Sequence, residues 1–290
     1  MWMRIASGAV GIPLAVALIW AGGWWVTGAV LLLVVRGCYE FAAVLRQRGV
    51  YFPQLWGTLG AVSFVLWAHW AAPQNPKGVI SLLVLLVFWG LLYLLIGGAF
   101  VLNVFRYRPG EPALANVSST VLGVLYVGFL FSFLIWLRAW PEPPTFPHWP
   151  SWEAGARWLL LVFAVSWATD TGAYFVGRSW GRRPLAPQVS PHKTVEGSLG
   201  GWLAAVAVGW GVGALLQLPL IPALLIGAGC GVVGQLGDLA KSILKRDLGV
   251  KDFPPFIPGH GGVLDRFDSL LLNAPLVYLG LSLLSTICSW

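Results

Sequence analysis

The chain has 290 residues, of which 58% are hydrophobic and only 10% are charged, and its mean hydropathy is +0.77. Such a composition leaves too little polar surface to cover a soluble globule, so it excludes a soluble protein and indicates an all-α, polytopic membrane protein. The basic residues behind the net charge of +7 lie between apolar segments rather than on one polar face. This distribution favours anionic lipid headgroups and phosphate substrates as partners over nucleic acid.

Nine apolar stretches are long enough, or nearly so, to cross a bilayer, which takes about 20 residues of helix. They are predicted at residues 5–21, 24–45, 55–72, 78–102, 114–136, 158–177, 199–218, 220–240 and 267–287. A break in composition near residues 103–113 separates an N-terminal group of about four spans, residues 1–110, from a C-terminal group of about five, residues 111–290. Most of the side chains that could bind a substrate or a metal ion lie in the second group, which is therefore predicted to be the catalytic region.

Two features of the predicted spans concern their packing. In the second span, Arg36 and Glu40 are four residues apart, which favours an ion pair within the helix over a substrate role. In the eighth span, Gly227, Gly231 and Gly234 are spaced to form a small-residue helix face. Small residues let two membrane helices approach closely, so we expect this face to pack against a neighbouring helix.

A carboxylate and a polar loop mark the end of the sixth span. We expect Asp170 to be buried there and to need a cation from elsewhere in the fold. The loop over residues 178–198 then brings basic residues and hydroxyls, among them Ser190 and Lys193. Hydroxyl and ammonium groups donate hydrogen bonds to phosphate oxygens, so this loop is a candidate phosphate-binding segment. An ordinary basic loop beside the membrane is the alternative interpretation.

The densest group of charged side chains begins in the eighth span. If the segment after Gly234 is helical, one of its faces carries a carboxylate, two ammonium groups and a hydroxyl. These belong to Asp238, Lys241, Ser242 and Lys245. Arg246 lies beside this stripe, and Pro254 and Pro255 then end any helix. Ionisable groups within a membrane segment are costly, so the stripe indicates a functional site.

A glycine-rich turn and a second acidic group follow. The glycines of residues 258–262 permit backbone N–H groups to converge on an anion. The next residues are predicted to form the first turn of the last helix, with Asp265 and Asp268 on one face at i and i+3. Together with the preceding stripe, this turn predicts a phosphate and metal site.

Three parts of the C-terminal half of the chain resemble the phosphatidate cytidylyltransferase family, also called CDP-diacylglycerol synthases. The strongest similarity covers residues 242–246, 251–252 and 258–268, which together leave few free positions. Residues 170–174 and 190–197 resemble two further family segments in the expected order. The resemblance in motifs runs from about Trp158 to the end of the chain, whereas the N-terminal half resembles the family in hydropathy alone.

The resemblance implies transfer of the cytidylyl group of CTP to phosphatidate, which gives CDP-diacylglycerol and pyrophosphate. It also implies Mg²⁺ as the cofactor, held by Asp238 and Asp265, with K⁺ as a second ion. A homodimer is a further expectation. In-line attack of one phosphate on another brings two polyanions together, so this chemistry needs a divalent metal and basic side chains.

The other site residues that we expect have supporting roles. Asp170 and Asp268 would assist the metal or hold basic residues. The expected phosphate and substrate contacts come from Lys193, Lys245, Arg246, Arg266, Ser190, Ser242, His260, Gly261 and Gly262. No general base is required, because the attacking phosphate is already an anion.

The distribution of basic residues predicts the orientation in the membrane. If nine spans alternate in direction, Lys77, Arg138 and Arg157 lie on one side, Arg36 lies within a span, and the other 14 of the 18 Lys and Arg residues lie on the opposite side. By the positive-inside rule, the N-terminus and the motif-bearing loops would face the cytoplasm and the C-terminus would face outward. We therefore expect a multi-pass protein of the inner (plasma) membrane.

Two other functions are consistent with parts of the pattern. A polyprenol or phytol kinase would also place Asp and Lys on membrane helices, but its alcohol acceptor would call for a base. A transporter or channel for a phosphorylated solute would place charged residues near the midplane at a repeat interface, and this sequence shows no repeat.

Overall fold

The computed structural model describes residues 2–74, 81–141, 153–256 and 261–288. The helices are α1 (Trp2–Ala21), α2 (Gly23–Gln47), α3 (Gln54–Ala71), α4 (Leu82–Arg106), α5 (Ala113–Gly123), α6 (Leu130–Arg138), α7 (Ala154–Trp180), α8 (Val195–Leu215), α9 (Leu220–Asp247), α10 (Val263–Arg266) and α11 (Asp268–Cys288). The strands are β1 (Pro184–Ala186) and β2 (Ser190–Thr194). A π-helical segment, Val124–Phe129, joins α5 and α6 into one continuous helix, and a short 3₁₀ turn, Ala72–Gln74, follows α3.

Seven helices in the described residues are long and apolar enough to cross a membrane. They are α2, α4, the continuous helix Ala113–Arg138, α7, α8, α9 and the Asp268–Thr286 part of α11. These helices confirm the predicted all-α, polytopic membrane protein. The helix α1 contributes a shorter apolar stretch, Ala9–Ala21, and α3 is an 18-residue helix outside the seven. The predicted count of nine spans is therefore not confirmed.

Packing divides the chain into two compact units. The first unit comprises Met1–Trp136 and Leu248–Arg266, and the second comprises Leu137–Asp247 and Phe267–Trp290. The chain therefore passes between the units three times. The sequence-based groups, residues 1–110 and 111–290, were separated at a break in composition near residues 103–113, and that grouping stays a prediction.

The first unit is built on aromatic packing around α3. Phe64 of α3 lies 5.6 Å from Phe129, between ring centroids, and Trp67 lies 5.5 Å from Phe88 of α4. The π-helical segment comes so close to α3 that a Cβ on Gly128 would lie 2.4 Å from the Ala61 Cα. Only glycine fits that contact, so Gly128 fixes how these two helices cross.

The second unit is built on small residues that bring α7, α8 and α9 together. A Cβ on Gly201 of α8 would lie 2.7 Å from the Thr169 carbonyl oxygen of α7. On α9, a Cβ on Gly227 would lie 2.7 Å from the Ala205 oxygen, and one on Gly231 would lie 2.8 Å from the Ala205 Cβ. The predicted small-residue face of the eighth span is thus confirmed as a helix contact surface.

Two glycines on α8 test this packing directly. At Gly209 a Cβ would lie 2.8 Å from the Ala223 carbonyl oxygen and 2.9 Å from the Gly227 Cα, whereas at Gly211 nothing lies within 4 Å. Gly209→Ala should therefore lower the free energy of unfolding by about 1–3 kcal/mol through overpacking. Gly211→Ala should raise it by about 0.5–1 kcal/mol, because alanine has the better helix propensity. Thermal unfolding in detergent measures both, and equal shifts for the two variants would contradict the packing account.

Candidate active site

The polar segment after α7 forms a β-hairpin where the sequence predicted a loop. Strands β1 and β2 pair antiparallel, with Pro184 opposite Thr194. Thr194 then caps α8, because its Oγ1 accepts a hydrogen bond from the Gly197 N–H at 3.1 Å. The Glu196 carboxylate accepts hydrogen bonds from the N–H groups of Arg182 and Arg183 at 2.9 and 3.2 Å. The first turn of α8 therefore holds both ends of the hairpin.

Four charged side chains form an alternating chain of ion pairs in the second unit. Asp238 of α9 pairs through Oδ2 with the Lys193 ammonium of β2, and through Oδ1 with the Lys241 ammonium at 3.0 Å. Lys241 also pairs with Oδ2 of Asp268, the first residue of α11. We call this sequence of contacts, Lys193 to Asp238 to Lys241 to Asp268, the ion-pair chain. Its two positive and two negative charges balance.

The ion-pair chain has an accessible end and a buried end. The side chains of Lys193 and Asp238 are 28% and 27% exposed, whereas those of Lys241 and Asp268 are 7% and 8% exposed. A buried charge is tolerated only when it is paired, so Lys241 and Asp268 need each other. The accessible end is the part at which a phosphate or a metal ion can reach a charged group.

Lys241 is the centre of this arrangement, although the sequence analysis placed it in the charged stripe without a specific role. The sequence placed it on the charged stripe, where a lysine three residues after Asp238 has the spacing of an ordinary pair on a helix surface. Its second partner, Asp268, is 27 residues further along the chain. That Lys241 lies buried between two carboxylates becomes evident only in the folded structure. Its position within an apolar segment was the one indication in the sequence that it has a function.

Three polar contacts hold the hairpin and α8 against α9. Ser198 donates a hydrogen bond to the Gln235 side-chain oxygen, and the Gln235 amide donates to the Ser198 carbonyl oxygen at 3.1 Å. Arg246 Nε donates to the Val189 carbonyl oxygen of the hairpin at 3.2 Å. The chain is therefore held to α9 both before Lys193, at Val189, and after it, at Ser198. Neither Ser198 nor Gln235 was among the site residues predicted from the sequence.

Residues 248–266, which we call the signature segment, belong to the first unit. Asp265 of α10 accepts a hydrogen bond from the Phe253 N–H at 2.9 Å. The helix is interrupted at Phe267, so Asp265 and Asp268 belong to two different helices. The prediction that they share one face of a single helical turn is therefore wrong. The bend at Phe267 changes the direction of the backbone between them, which spacing along the sequence cannot reveal.

The comparison with known proteins decides the family. A model described as the cytidylyltransferase family matches residues 2–284. The chain belongs to this family. It is 34% identical to a phosphatidate cytidylyltransferase of Synechocystis, with 95% of this chain and 94% of the relative covered. Relatives of the same name from Bacillus subtilis and Brucella suis are 34% and 35% identical, covering 88% and 95% of this chain and 89% and 91% of their own lengths. The resemblance is confirmed, and it extends through the N-terminal half.

The other predicted site residues of this cytidylyltransferase family member lie in varied surroundings. Asp170 is exposed on α7, so the expectation of a buried carboxylate is wrong: the last part of that helix is largely uncovered. Ser242 donates its hydroxyl to the Asp238 carbonyl oxygen at 2.8 Å. The remaining residues are Lys245, which is buried, Arg246 and Arg266, which are exposed, Ser190 and Gly261, which are half-buried, and Gly262, which is buried. His260 lies outside the described residues, and the substrate roles of all these groups stay predictions.

Mg²⁺, the cofactor that membership of this family suggests, suits the donor groups that are present. Among the described residues, no group of three or more His, Cys, Asp or Glu side chains is placed to hold a metal ion. Mg²⁺ needs no such group, since it commonly uses one or two carboxylates and completes its shell with water and substrate phosphates. Asp238 offers a partly accessible carboxylate that already attracts two ammonium groups. Asp265 belongs to the other unit, and its role as second ligand stays a prediction.

Proposed function

We propose that this chain is a phosphatidate cytidylyltransferase, which converts CTP and phosphatidate to CDP-diacylglycerol and pyrophosphate. The observation that carries the proposal is the ion-pair chain, which begins with an accessible lysine and carboxylate on a hairpin and a membrane helix. An ammonium group and a carboxylate at the accessible end could bind the phosphate of a lipid and, through a metal ion, the phosphates of a nucleotide. The names of the relatives support the same substrates.

The reaction needs charge neutralisation more than proton transfer. An oxygen of the phosphatidate phosphate attacks the α-phosphorus of CTP, the bond from that phosphorus to the bridging oxygen breaks, and pyrophosphate leaves with the bonding electrons. The attacking oxygen is already ionised, so no side chain has to remove a proton. Lys193 and Arg246 would bind phosphate oxygens, since one is partly exposed and the other exposed. Lys241 would keep the Asp238 carboxylate oriented through its ion pair with Oδ1, on the buried side of the site.

A divalent cation completes this proposal. Mg²⁺ held by Asp238 and Asp265 would neutralise the phosphates and polarise the α-phosphorus. The Lys193 ammonium and a cation would then compete for the same carboxylate oxygen of Asp238. Displacement of Lys193 would leave its ammonium available to substrate phosphate. K⁺ as a second ion and a homodimer are part of the proposal and stay predictions.

Lipid-dependent pyrophosphate release tests the function. The purified protein in mixed micelles should release pyrophosphate only when CTP, phosphatidate and Mg²⁺ are all present, and the product should be a CDP-linked lipid. A polyprenol or phytol kinase would instead give CDP without pyrophosphate when a lipid alcohol is supplied. A transporter would give neither product. Either of the last two results would refute the proposed activity.

The proposed orientation places the site at the cytoplasmic face of the inner (plasma) membrane. It is motivated by the bias of Lys and Arg residues to one side of the predicted spans. Cysteines introduced as Gln188→Cys in the hairpin and Lys251→Cys after α9 should react with an impermeant reagent only from the cytoplasmic side. A tag placed after Trp290 should react only from outside. Labelling of the two cysteines from opposite sides would overturn this orientation.

A further inference from the structure

Glu40 of α2 is a fully buried carboxylate that the reaction described above does not use. Its side chain is 0% exposed. Oε1 accepts a hydrogen bond from the Val263 N–H at 2.9 Å, and Oε2 accepts one from the Leu264 N–H at 3.1 Å. These N–H groups open α10, and the first N–H groups of a helix have no partner within it. One carboxylate thus fixes the start of the short helix that carries Asp265.

Arg36, one turn earlier on α2, holds the other end of the same segment. Its Nε donates to Glu40 Oε1 at 3.1 Å, which confirms the predicted pair within the helix. Its Nη2 donates to the carbonyl oxygens of Pro254 and Pro255 at 3.2 and 2.9 Å. The guanidinium also lies 5.1 Å from the Phe256 ring centroid. The pair therefore contacts the signature segment before and after its glycine-rich turn.

The glycine at the centre of these contacts shows how closely Glu40 approaches. A Cβ on Gly262 would lie 2.6 Å from Glu40 Oε2 and 2.8 Å from the Phe253 Cβ. Gly261 has a φ of +79°, which other residues rarely adopt, and its carbonyl oxygen accepts from the Phe256 N–H at 3.0 Å. Glycine at position 262 therefore lets Glu40 come close to the backbone there, and glycine at position 261 permits the positive φ just before it.

We infer that Arg36 and Glu40 are positioning residues for the reaction, in that they set the orientation of Asp265 and of the backbone at Gly262. This inference rests on the proposed function for its kinetic consequence. Five hydrogen bonds link the two side chains to each other and to the segment, and all five involve a charged group. Hydrogen bonds of charged groups are shorter and stronger than neutral ones, particularly away from water. An ion pair that only stabilised α2 would have no need of four bonds to a distant segment.

Glu40→Gln tests the inference with little change in volume. Glutamine replaces one acceptor oxygen with an NH₂ group, which would then face a backbone N–H, so one of the two bonds to α10 is lost. A nitroxide label introduced through Lys251→Cys should become more mobile in this variant, since the segment is released. The kcat for pyrophosphate release should fall by about 10- to 100-fold, because misplacement of a catalytic group by about 1 Å has an effect of that size. The KM for phosphatidate should change by less than about threefold, because mispositioning acts mainly on the reacting geometry.

Two further variants separate positioning from a general loss of stability. Thr27→Val is the matched control on the same helix, since Thr27 is also fully buried and hydrogen-bonds to the Gly23 oxygen at 3.1 Å and to His69 Nδ1 at 2.8 Å. It should leave kcat and label mobility at wild-type values even if its melting temperature falls. Arg36→Lys keeps the positive charge beside Glu40 but loses the fork that reaches both proline carbonyl oxygens. It should raise label mobility and lower kcat by about 3- to 10-fold.

The outcomes distinguish this inference from the proposed function. Wild-type label mobility or wild-type kcat in Glu40→Gln would overturn the positioning role, and so would equal losses of kcat in Glu40→Gln and Thr27→Val. If Glu40→Gln is not recovered folded, the same two measurements on Arg36→Lys decide the matter. A wild-type protein that releases no pyrophosphate refutes the proposed function instead. Label mobility needs no substrate, so it still reports whether Arg36 and Glu40 hold the segment.

Discussion

Lys241→Met should destabilise the protein severely, because it removes the ammonium group that pairs with both Asp238 and Asp268. Asp238 and Asp268 both pair with the Lys241 ammonium, and Asp268 is almost fully buried. Removing one partner of a buried ion pair costs about 3–5 kcal/mol, since the remaining charge stays desolvated and uncompensated. The melting temperature in detergent should fall by about 10 °C or more. Pyrophosphate release should be lost at all substrate concentrations.

Lys193→Met is the matched control for this variant. It removes the same functional group from the accessible end of the ion-pair chain, where Lys193 is 28% exposed. A partly exposed pair contributes only about 0–1 kcal/mol, so the melting temperature should hardly change. The defect should instead be a raised KM for CTP or phosphatidate, with turnover that partly recovers at high substrate concentration. Similar melting temperatures for Lys241→Met and Lys193→Met would contradict the division into a buried and an accessible end.

The parts of this site that lie on one continuous helix were predictable from the sequence. Asp238, Lys241 and Ser242 occupy one face of α9 as their spacing predicted, and the pair of Arg36 and Glu40 forms as expected on α2. Helical periodicity fixes which side chains are neighbours within three or four residues. Such predictions depend on local geometry alone, which explains why they hold.

The parts that depend on bends or on distant partners were not predictable in this way. The break at Phe267 separates Asp265 from Asp268, and no proline or glycine at that position signals it. The exposure of Asp170 depends on which helices cover α7, which periodicity does not determine. The spacing of Arg36 and Glu40 predicts their pair within α2, but it does not identify the partners of Glu40 more than 200 residues away. Its position inside a membrane span was the available signal, since ionisable groups are rare there unless they have a function.

Asp238→Asn and Asp265→Asn should each abolish the thermal stabilisation that Mg²⁺ with CTP gives the wild-type protein. A ligand that binds the folded state stabilises it by an amount that grows with its concentration, about 2.7 kcal/mol at one hundred times its dissociation constant. Each substitution removes one negative charge with little change in volume. A carboxylate that binds Mg²⁺ contributes that charge, whereas a carboxamide does not. Asp265→Asn should preserve the hydrogen bond from the Phe253 N–H, since the amide oxygen can accept it.

The double variant decides whether the two carboxylates act as one metal site. Residues that act as a unit are non-additive, so Asp238→Asn with Asp265→Asn should lose no more stabilisation than either single variant. Asp247→Asn, at the exposed end of α9, is the matched control and should keep the full thermal stabilisation by Mg²⁺ with CTP. The measurement is the melting temperature across a titration of Mg²⁺ and CTP. If each single variant kept about half of the gain and the double variant lost the sum, Asp238 and Asp265 would bind cations independently, and the assignment of both to one Mg²⁺ would be wrong.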